Sequence, residues 1–163
     1  MSILKIHEDD SPYLHKACKD VEFPLTEDVR ELISDMIDTL MSSRTAVGLA
    51  APQVGASLNI FVYRTDTHPK PMVVINPKII KASDYNHGQY EMCLSYPNQL
   101  YEVVRAKRIA IRYFDEEGQH YVLKFRGFEA IILQHETDHL LGLTIKDRGE
   151  KLNDDLARKI LNI

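Results

Sequence analysis

Apolar residues recur at three- and four-residue intervals between Thr26 and Met41. Val29, Leu32, Ile33, Met36, Ile37, Leu40 and Met41 form one stripe, with Asp35 and Asp38 between them. This spacing predicts an amphipathic helix whose stripe is core. Thr26 supplies an N-cap, and Glu27 and Asp28 place acids in the first turn. The next stretch, Thr45 to Gly55, is small-residue chain in which Pro52 argues against helix. Leu58 to Tyr63, Met72 to Ile75 and Lys78 to Lys81 read as short strands. Arg108 to Phe114 and Tyr121 to Arg126 alternate on either side of a turn at Asp115-Glu-Glu-Gly118, the mark of an antiparallel hairpin. From Phe128 to Leu141 the pattern is helical again, with Gly142 as its stop. A last short helix, Asn153 to Asn162, carries Leu156, Ile160 and Leu161 on one side. Helix, several short strands and then an apolar helix predict an α+β fold rather than alternating βαβ units.

Composition adds bounds to this outline. The chain has 163 residues, 44% of them hydrophobic, which is enough for a core without covalent staples. No repeat and no linker divides it, so one domain over residues 1–163 is expected. Twenty basic against twenty-four acidic residues give a net charge of -4, and the charges are dispersed along the sequence. That balance predicts no specific nucleic-acid partner. Two cysteines, Cys18 and Cys93, are too few for a disulfide framework and suit a reducing compartment. No apolar run approaches the roughly twenty residues that span a bilayer. The N-terminal segment turns acidic within its opening residues and has no apolar signal core. A cytoplasmic protein with no membrane attachment is the expectation.

The chemistry concentrates in Gln134-His135-Glu136-Thr137-Asp138-His139. On a helix, His135 and His139 project from one face, one turn apart, and can grip one metal ion. Glu136 follows the first ligand and can reach a metal-bound water as general base. The flanking Ile131, Ile132, Leu133, Leu140 and Leu141 make this helix too apolar to be a solvated face. A catalytic site of this type needs a third protein ligand. No His follows His139, and the downstream carboxylates Asp147, Glu150, Asp154 and Asp155 sit in a polar tail. The other candidate is Cys93, whose thiolate would reshape the metal preference of the site.

Three segments, in this order, resemble the motifs of the peptide deformylase family. They are Ala46-Val47-Gly48-Leu49-Ala50-Ala51-Pro52-Gln53, Glu91-Met92-Cys93-Leu94-Ser95 and His135-Glu136-Thr137-Asp138-His139. The resemblance covers essentially the whole chain and implies a deformylase-like α+β fold, with short antiparallel strands around a central HExxH-bearing helix. It implies hydrolytic removal of the N-formyl group from formylmethionyl chains. Carried over by position, it implies Cys93, His135 and His139 as metal ligands and Glu136 as general base and acid. Gln53, through its side-chain amide, and Leu94, through its backbone N–H, would bind the formyl oxygen. The methionine side chain would meet Val47, Gly48, Met92, Phe128, Ile131 and Ile132, and Arg105 would pair with Glu91 to hold the second motif. The implied cofactor is one divalent ion, Fe2+, for which Zn2+, Ni2+ or Co2+ can substitute. The implied partners are formylmethionyl peptides and nascent chains, with transient ribosome association and a monomeric enzyme.

Two positions depart from the family pattern: Met92 and Ala46 both stand where the family usually has Gly. Met92, beside Cys93, either crowds the substrate's path or points away from it. Two rival functions follow, a deformylase-like binding protein whose turnover is reduced by Met92, and an HExxH zinc peptidase with a ligand downstream of His139.

Overall fold

Where the apolar stripes meet decides the architecture of this chain. The computed structural model describes residues 2–67 and 70–163, with residues 86–88 described by their backbone only. Helix α1 (Glu27–Ser42) begins as its cap predicts, the Thr26 hydroxyl accepting from the N–H of Val29 at 3.3 Å. Its Ile33, Met36 and Leu40 are buried against Leu49, Ile60 and Val62. Met41 differs from expectation. It is 46% exposed, because the stripe is wider than the face the sheet covers, and its sulfur accepts instead from the Arg64 guanidinium.

Six strands among the described residues form one antiparallel sheet: β1 (Gly48–Ala50), β2 (Ile60–Tyr63), β3 (Met72–Cys93), β4 (Tyr96–Phe114), β5 (His120–Arg126) and β6 (Gly149–Lys151). They lie in the order β1-β2-β3-β4-β5, with β6 also paired to β4. The two short strands expected at Met72–Ile75 and Lys78–Lys81 are one strand of 22 residues. Strand β4 likewise begins at Tyr96, well before the expected Arg108. The physical reason is a set of register shifts between β3 and β4, at Ile75/Lys78, Ile79/Lys81, Asn86/Gln89 and Glu91/Cys93. Each shift breaks the two-residue alternation that marks a strand in sequence while leaving the pairing continuous. At the first, Asn76 adopts a φ of 50°, and its amide clamps the N–H and C=O of Val21 at 2.8 and 2.9 Å.

Beyond the sheet lie α2 (Gly127–Leu140), α3 (Ile145–Arg148) and α4 (Asp154–Leu161). Gly142 ends the α2 segment with a φ of 78°, and a Cβ there would meet the backbone of Lys16 at 2.8 Å. Glycine is therefore required both by conformation and by the closeness of the N-terminal segment. Ala130, Ile132, Leu133 and Leu140 of α2 pack with Phe61, Tyr63, Val74, Ile109, Ile111 and Tyr113 of the sheet in one buried cluster. No helix of the described residues is long and apolar enough to cross a membrane.

A polar clamp fixes how α2 sits on the sheet. The Gln134 amide nitrogen donates to the carbonyl of Ala106 at 2.8 Å, and its oxygen accepts from the N–H of Ala106 at 3.0 Å. The side chain thus completes the bonding of a buried point of β4 on the side away from β3, between the stretches paired to β5 and to β6. Replacing Gln134 with the apolar, similarly sized Leu should orphan both Ala106 groups and cost about 2–4 kcal/mol of stability. Urea unfolding should show a lowered midpoint with an unchanged slope.

Candidate active site

Three segments bring the chemical residues together: the 3-10 turn Ala51–Val54 after β1, the end of β3, and α2. The i, i+4 spacing on α2 sets the His135 and His139 rings 5.1 Å apart. At the end of β3, Cys93 Sγ lies 3.4 Å from His139 Nε2. The sulfur and one nitrogen from each histidine all lie within 4.8 Å of one another. A thiolate and two imidazoles so arranged can hold one divalent ion. The carboxylates considered as third ligands, Asp147, Glu150, Asp154 and Asp155, are all exposed and stand outside this cluster.

The histidine orientations have identifiable causes. Glu91 accepts from Nδ1 of His135 at 2.8 Å, which turns Nε2 of that ring toward the cluster. Arg105 in turn grips Glu91 with two bonds, from Nε at 2.8 Å and from Nη2 at 2.9 Å, which is the pairing expected from sequence. Its third contact goes to Asp138, which also accepts from Arg148 at 3.0 and 3.2 Å. Burial would raise Glu91, but Arg105 and His135 outweigh it and hold this carboxyl at about 2. Burial works against the charge of Arg105 as well, and Glu91 and Asp138 raise the guanidinium above its ordinary value. For His139, burial, followed by the nearby His135 and Arg105 charges, keeps the imidazole well below the usual range. For His135, burial is opposed and outweighed by Cys93 and Glu91, and the ring titrates well above it.

Glu136 is buried beside these groups, and burial pushes its carboxyl up to about 7. A carboxyl poised there can both accept and return a proton near neutral pH. Its Oε2 has no hydrogen-bond partner among the described residues, and neither has Nδ1 of His139. Strand β1 passes directly over it. A Cβ on Gly48 would come within 2.8 Å of the Glu136 carboxyl carbon, so glycine lets the strand approach this close.

Gln53 is held by its own backbone turn. Its Oε1 accepts from the N–H of Ala50 at 2.9 Å, which forces Nε2 toward Ser95 Oγ, at 3.1 Å, and Cys93 Sγ, at 3.4 Å. A cleft of about 750 Å³ opens over these groups. Its walls include Gln53, Leu94, Cys93, His135 and Glu136, together with Val47, Gly48, Met92, Phe128, Ile131 and Ile132. Met92 is 50% exposed on this wall rather than turned away from it. Cys18 is a half-buried free cysteine outside the donor cluster.

Sequence reasoning missed several participants. Asp138 stands in the helix motif with no role assigned from sequence, yet it shares Arg105 with Glu91. Ser95, read only as part of a motif, receives the Gln53 amide. Leu161 and Ile163, at the far end of the chain, also line the cleft. Nothing local in their surroundings signals this, since only the return of α4 toward the sheet puts them there.

Comparison with known proteins agrees with this geometry. The family model described as polypeptide deformylase matches residues 3–155. The chain is 38% identical to the peptide deformylase of Chlorobaculum parvum, covering 98% of this chain and 87% of that protein. It is 43% identical to that of Dictyoglomus thermophilum, covering 90% of this chain and 93% of that one. Among solved structures, the peptide deformylase from Legionella pneumophila superposes with a TM-score of 0.85 at 34% identity, covering 99% of this chain and 94% of its own. The Thermotoga maritima enzyme superposes at 0.83 with 36% identity, over 91% and 98% of the two chains. In sequence and in fold alike, this chain belongs to the polypeptide deformylase family.

Proposed function

We propose that residues 1–163 act as one catalytic domain that hydrolyses the N-formyl group from the N-terminal formylmethionine of newly made polypeptides, releasing formate. The observation that carries this reading is the Cys93, His135 and His139 donor set lying against a buried glutamate in a cleft with apolar walls. The family is metal-dependent, and the donor set suits a divalent ion. One thiolate with two imidazoles is compatible with Fe2+, which we take as the physiological metal, and with Zn2+, Ni2+ or Co2+ in its place. When bound, such an ion supplies Lewis acidity, polarising a carbonyl and making water a better nucleophile.

The residues then divide the remaining work. Glu136 takes a proton from the attacking water onto its carboxylate and returns it to the departing amine nitrogen. A C–O bond forms at the formyl carbon and the C–N bond breaks, giving formate and a free amino terminus. The Gln53 amide and the backbone N–H of Leu94 donate to the formyl oxygen as it gains charge. Glu91 holds His135, and Arg105 holds Glu91. Val47, Gly48, Met92, Phe128, Ile131 and Ile132 receive the methionine side chain and the chain that follows it. The enzyme works as a cytoplasmic monomer that meets nascent chains during transient contact with the ribosome. Neither rival is favoured: the donor cluster is complete without a downstream ligand, and a pure binding protein has no need of a buried base whose Oε2 has no hydrogen-bond partner among the described residues.

Anaerobic assay of formyl-Met-Ala-Ser against its acetylated counterpart, with metal analysis alongside, tests this directly. Formate should be released from the formylated peptide only. Glu136→Gln should lower turnover by about 10²–10⁴-fold, the usual worth of a positioned general base, while metal content holds. Cys93→Ala should lose the metal itself. A metal-loaded wild-type protein that releases no formate would refute the reading.

Gly48→Ala offers a finer probe. The added methyl must displace the Glu136 carboxyl, so turnover should fall by at least about tenfold with metal retained, since a small misplacement of a reacting group is costly. Met92→Gly should alter kcat/KM without changing metal content, and loss of metal in that variant would mean that Met92 supports the donor set instead.

A further inference from the structure

The hairpin of β3 and β4 does not close evenly at its tip. Between the pairs Glu91–Tyr101 and Cys93–Tyr96, β3 has Met92 alone while β4 has Pro97, Asn98, Gln99 and Leu100, so this part of β4 bulges out of the ladder. Asn98 turns the bulge with a φ of 60°. Leu100 at its end is 3% exposed and packs with Leu152, Ala157 and Leu161, which seats α4 on the bulge. Helix α4 then stops on a left-handed cap. Asn162 has a φ of 59°, and the N–H of Ile163 donates to the C=O of Arg158 at 3.1 Å. The cap fixes the direction in which Ile163 leaves the helix. Pro97, Leu100, Leu161 and Ile163 together make an apolar wall, and all of them line the catalytic cleft.

This wall is separate from the one that takes the methionine side chain. Helix α2, which carries Phe128, Ile131 and Ile132, packs on β4 between Ala106 and Tyr113, whereas α4 packs on Leu100, and the two clusters share no residue. Folding alone does not explain Ile163, since a side chain that is 71% exposed adds little to the core. Among the described lining residues, Glu91, His135 and Glu136 are the titratable groups besides Cys93 and the tyrosines, and each is engaged at the metal-binding end. The wall therefore presents no countercharge to an acidic or basic side chain, and a charge set against it unpaired is disfavoured.

We infer that this wall is a subsite for the residue after methionine and selects an apolar side chain there. A peptide lying extended in the cleft puts successive side chains on opposite sides. With the methionine turned toward α2, the next side chain is directed away from that helix, where the bulge and the end of α4 offer it apolar surface. The occupant follows from continuity. Wall and catalytic groups line one cavity of about 750 Å³, so a peptide held for hydrolysis meets the wall without a separate docking event. This assignment of the occupant rests on the deformylase reading. Pro97, Leu100, Leu161 and Ile163 all lie outside the three segments that carry the chemistry, so the preference can vary between proteins while the reaction stays the same.

The test compares kcat/KM of the full, metal-loaded chain, kept anaerobic, on formyl-Met-Leu-Ser, formyl-Met-Ala-Ser and formyl-Met-Asp-Ser. Leucine should be preferred over alanine by at least about fivefold, less than complete burial of its extra carbons would give, and aspartate should be the poorest. Ile163→Ser, at an exposed position with little risk to folding, should cut the leucine-to-alanine ratio by at least about threefold, through KM rather than kcat. Asn162→Val, which disfavours the left-handed cap, should cut the ratio likewise, and Asn162→Gly, which keeps the cap, should preserve it. Calorimetric titration with the product peptides Met-Leu-Ser and Met-Ala-Ser reads the same wall without turnover, and the leucine peptide should bind more tightly. Equal kcat/KM for leucine and alanine, a preference for aspartate, or a leucine preference that Ile163→Ser or Asn162→Val leaves intact would each overturn the inference, while formate release from all three peptides leaves the deformylase reading standing. Formate release from none of them would refute the catalytic reading, and the calorimetric comparison then decides the subsite by itself.

Discussion

The buried guanidinium of Arg105 is the interaction on which the site depends. It is 4% exposed and bonded to Glu91 from β3 and to Asp138 from α2, so one charge ties three elements together. Burying three ionised groups is costly, and such a cluster is weak evidence of stability for its own sake. What it supplies here is position. Glu91 is two residues from Cys93 and bonded to His135, while Asp138 directly precedes His139. Every member of the donor set is thus a few covalent or hydrogen-bond steps from the same guanidinium. Removing either carboxylate would leave a buried charge poorly matched and free its neighbour to rotate, and the direction of the Glu91 shift, down to about 2, expresses how firmly the ionised form is held.

The same dependence gives meaning to two close contacts of α2. The Gln134 clamp to Ala106 fixes the rotation of the helix next to Arg105 on β4, and Gly48 lets β1 close over Glu136. An error of even a fraction of a turn in α2 would carry both histidines and the glutamate away from Cys93 together. The helix therefore has contacts that specify it on several sides: apolar residues toward the sheet, Gln134 toward a strand backbone, and the chemical groups toward the cleft. Its apolar residues consequently do not form a single stripe, and its sequence reads as apolar throughout rather than as amphipathic.

Helix α1, the β4–β5 hairpin and α4 were legible in the sequence because their apolar positions recur at a regular period, and α2 because its apolar run from Phe128 ends at a glycine stop. The long hairpin of β3 and β4 was not, because its four register shifts reset the alternation every few residues, and because Arg105 sits inside where the pattern calls for an apolar residue. The two histidines on α2 could be read as a pair from helix geometry, since a spacing of four fixes their relation. Cys93 and Gln53 lie on other elements: Cys93 could be named as a candidate third ligand from its chemistry, while only family resemblance joined Gln53 to the site. Their role depends on a turn and a strand end meeting α2 in space, which no local periodicity encodes. Asp138 lay in plain view between two residues of interest and was missed because its partner, Arg105, is 33 positions away.

Charge was the least legible property, for a related reason. A net charge of -4 and the absence of basic runs describe the chain as a line, and along a line Lys78, Lys81, Arg108, Arg112, Lys124 and Arg126 are scattered over nearly fifty residues. Antiparallel pairing folds that line twice, and the two-residue period of a strand then sorts side chains by face. Alternation that buries Ile109 and Ile111 necessarily exposes Arg108 and Arg112 on the other side. The register that builds the core under α2 is therefore the same register that gathers the cations above it, and a one-residue slip would destroy both at once. Electrostatic expectations for a sheet protein follow from its pairing table rather than from its composition.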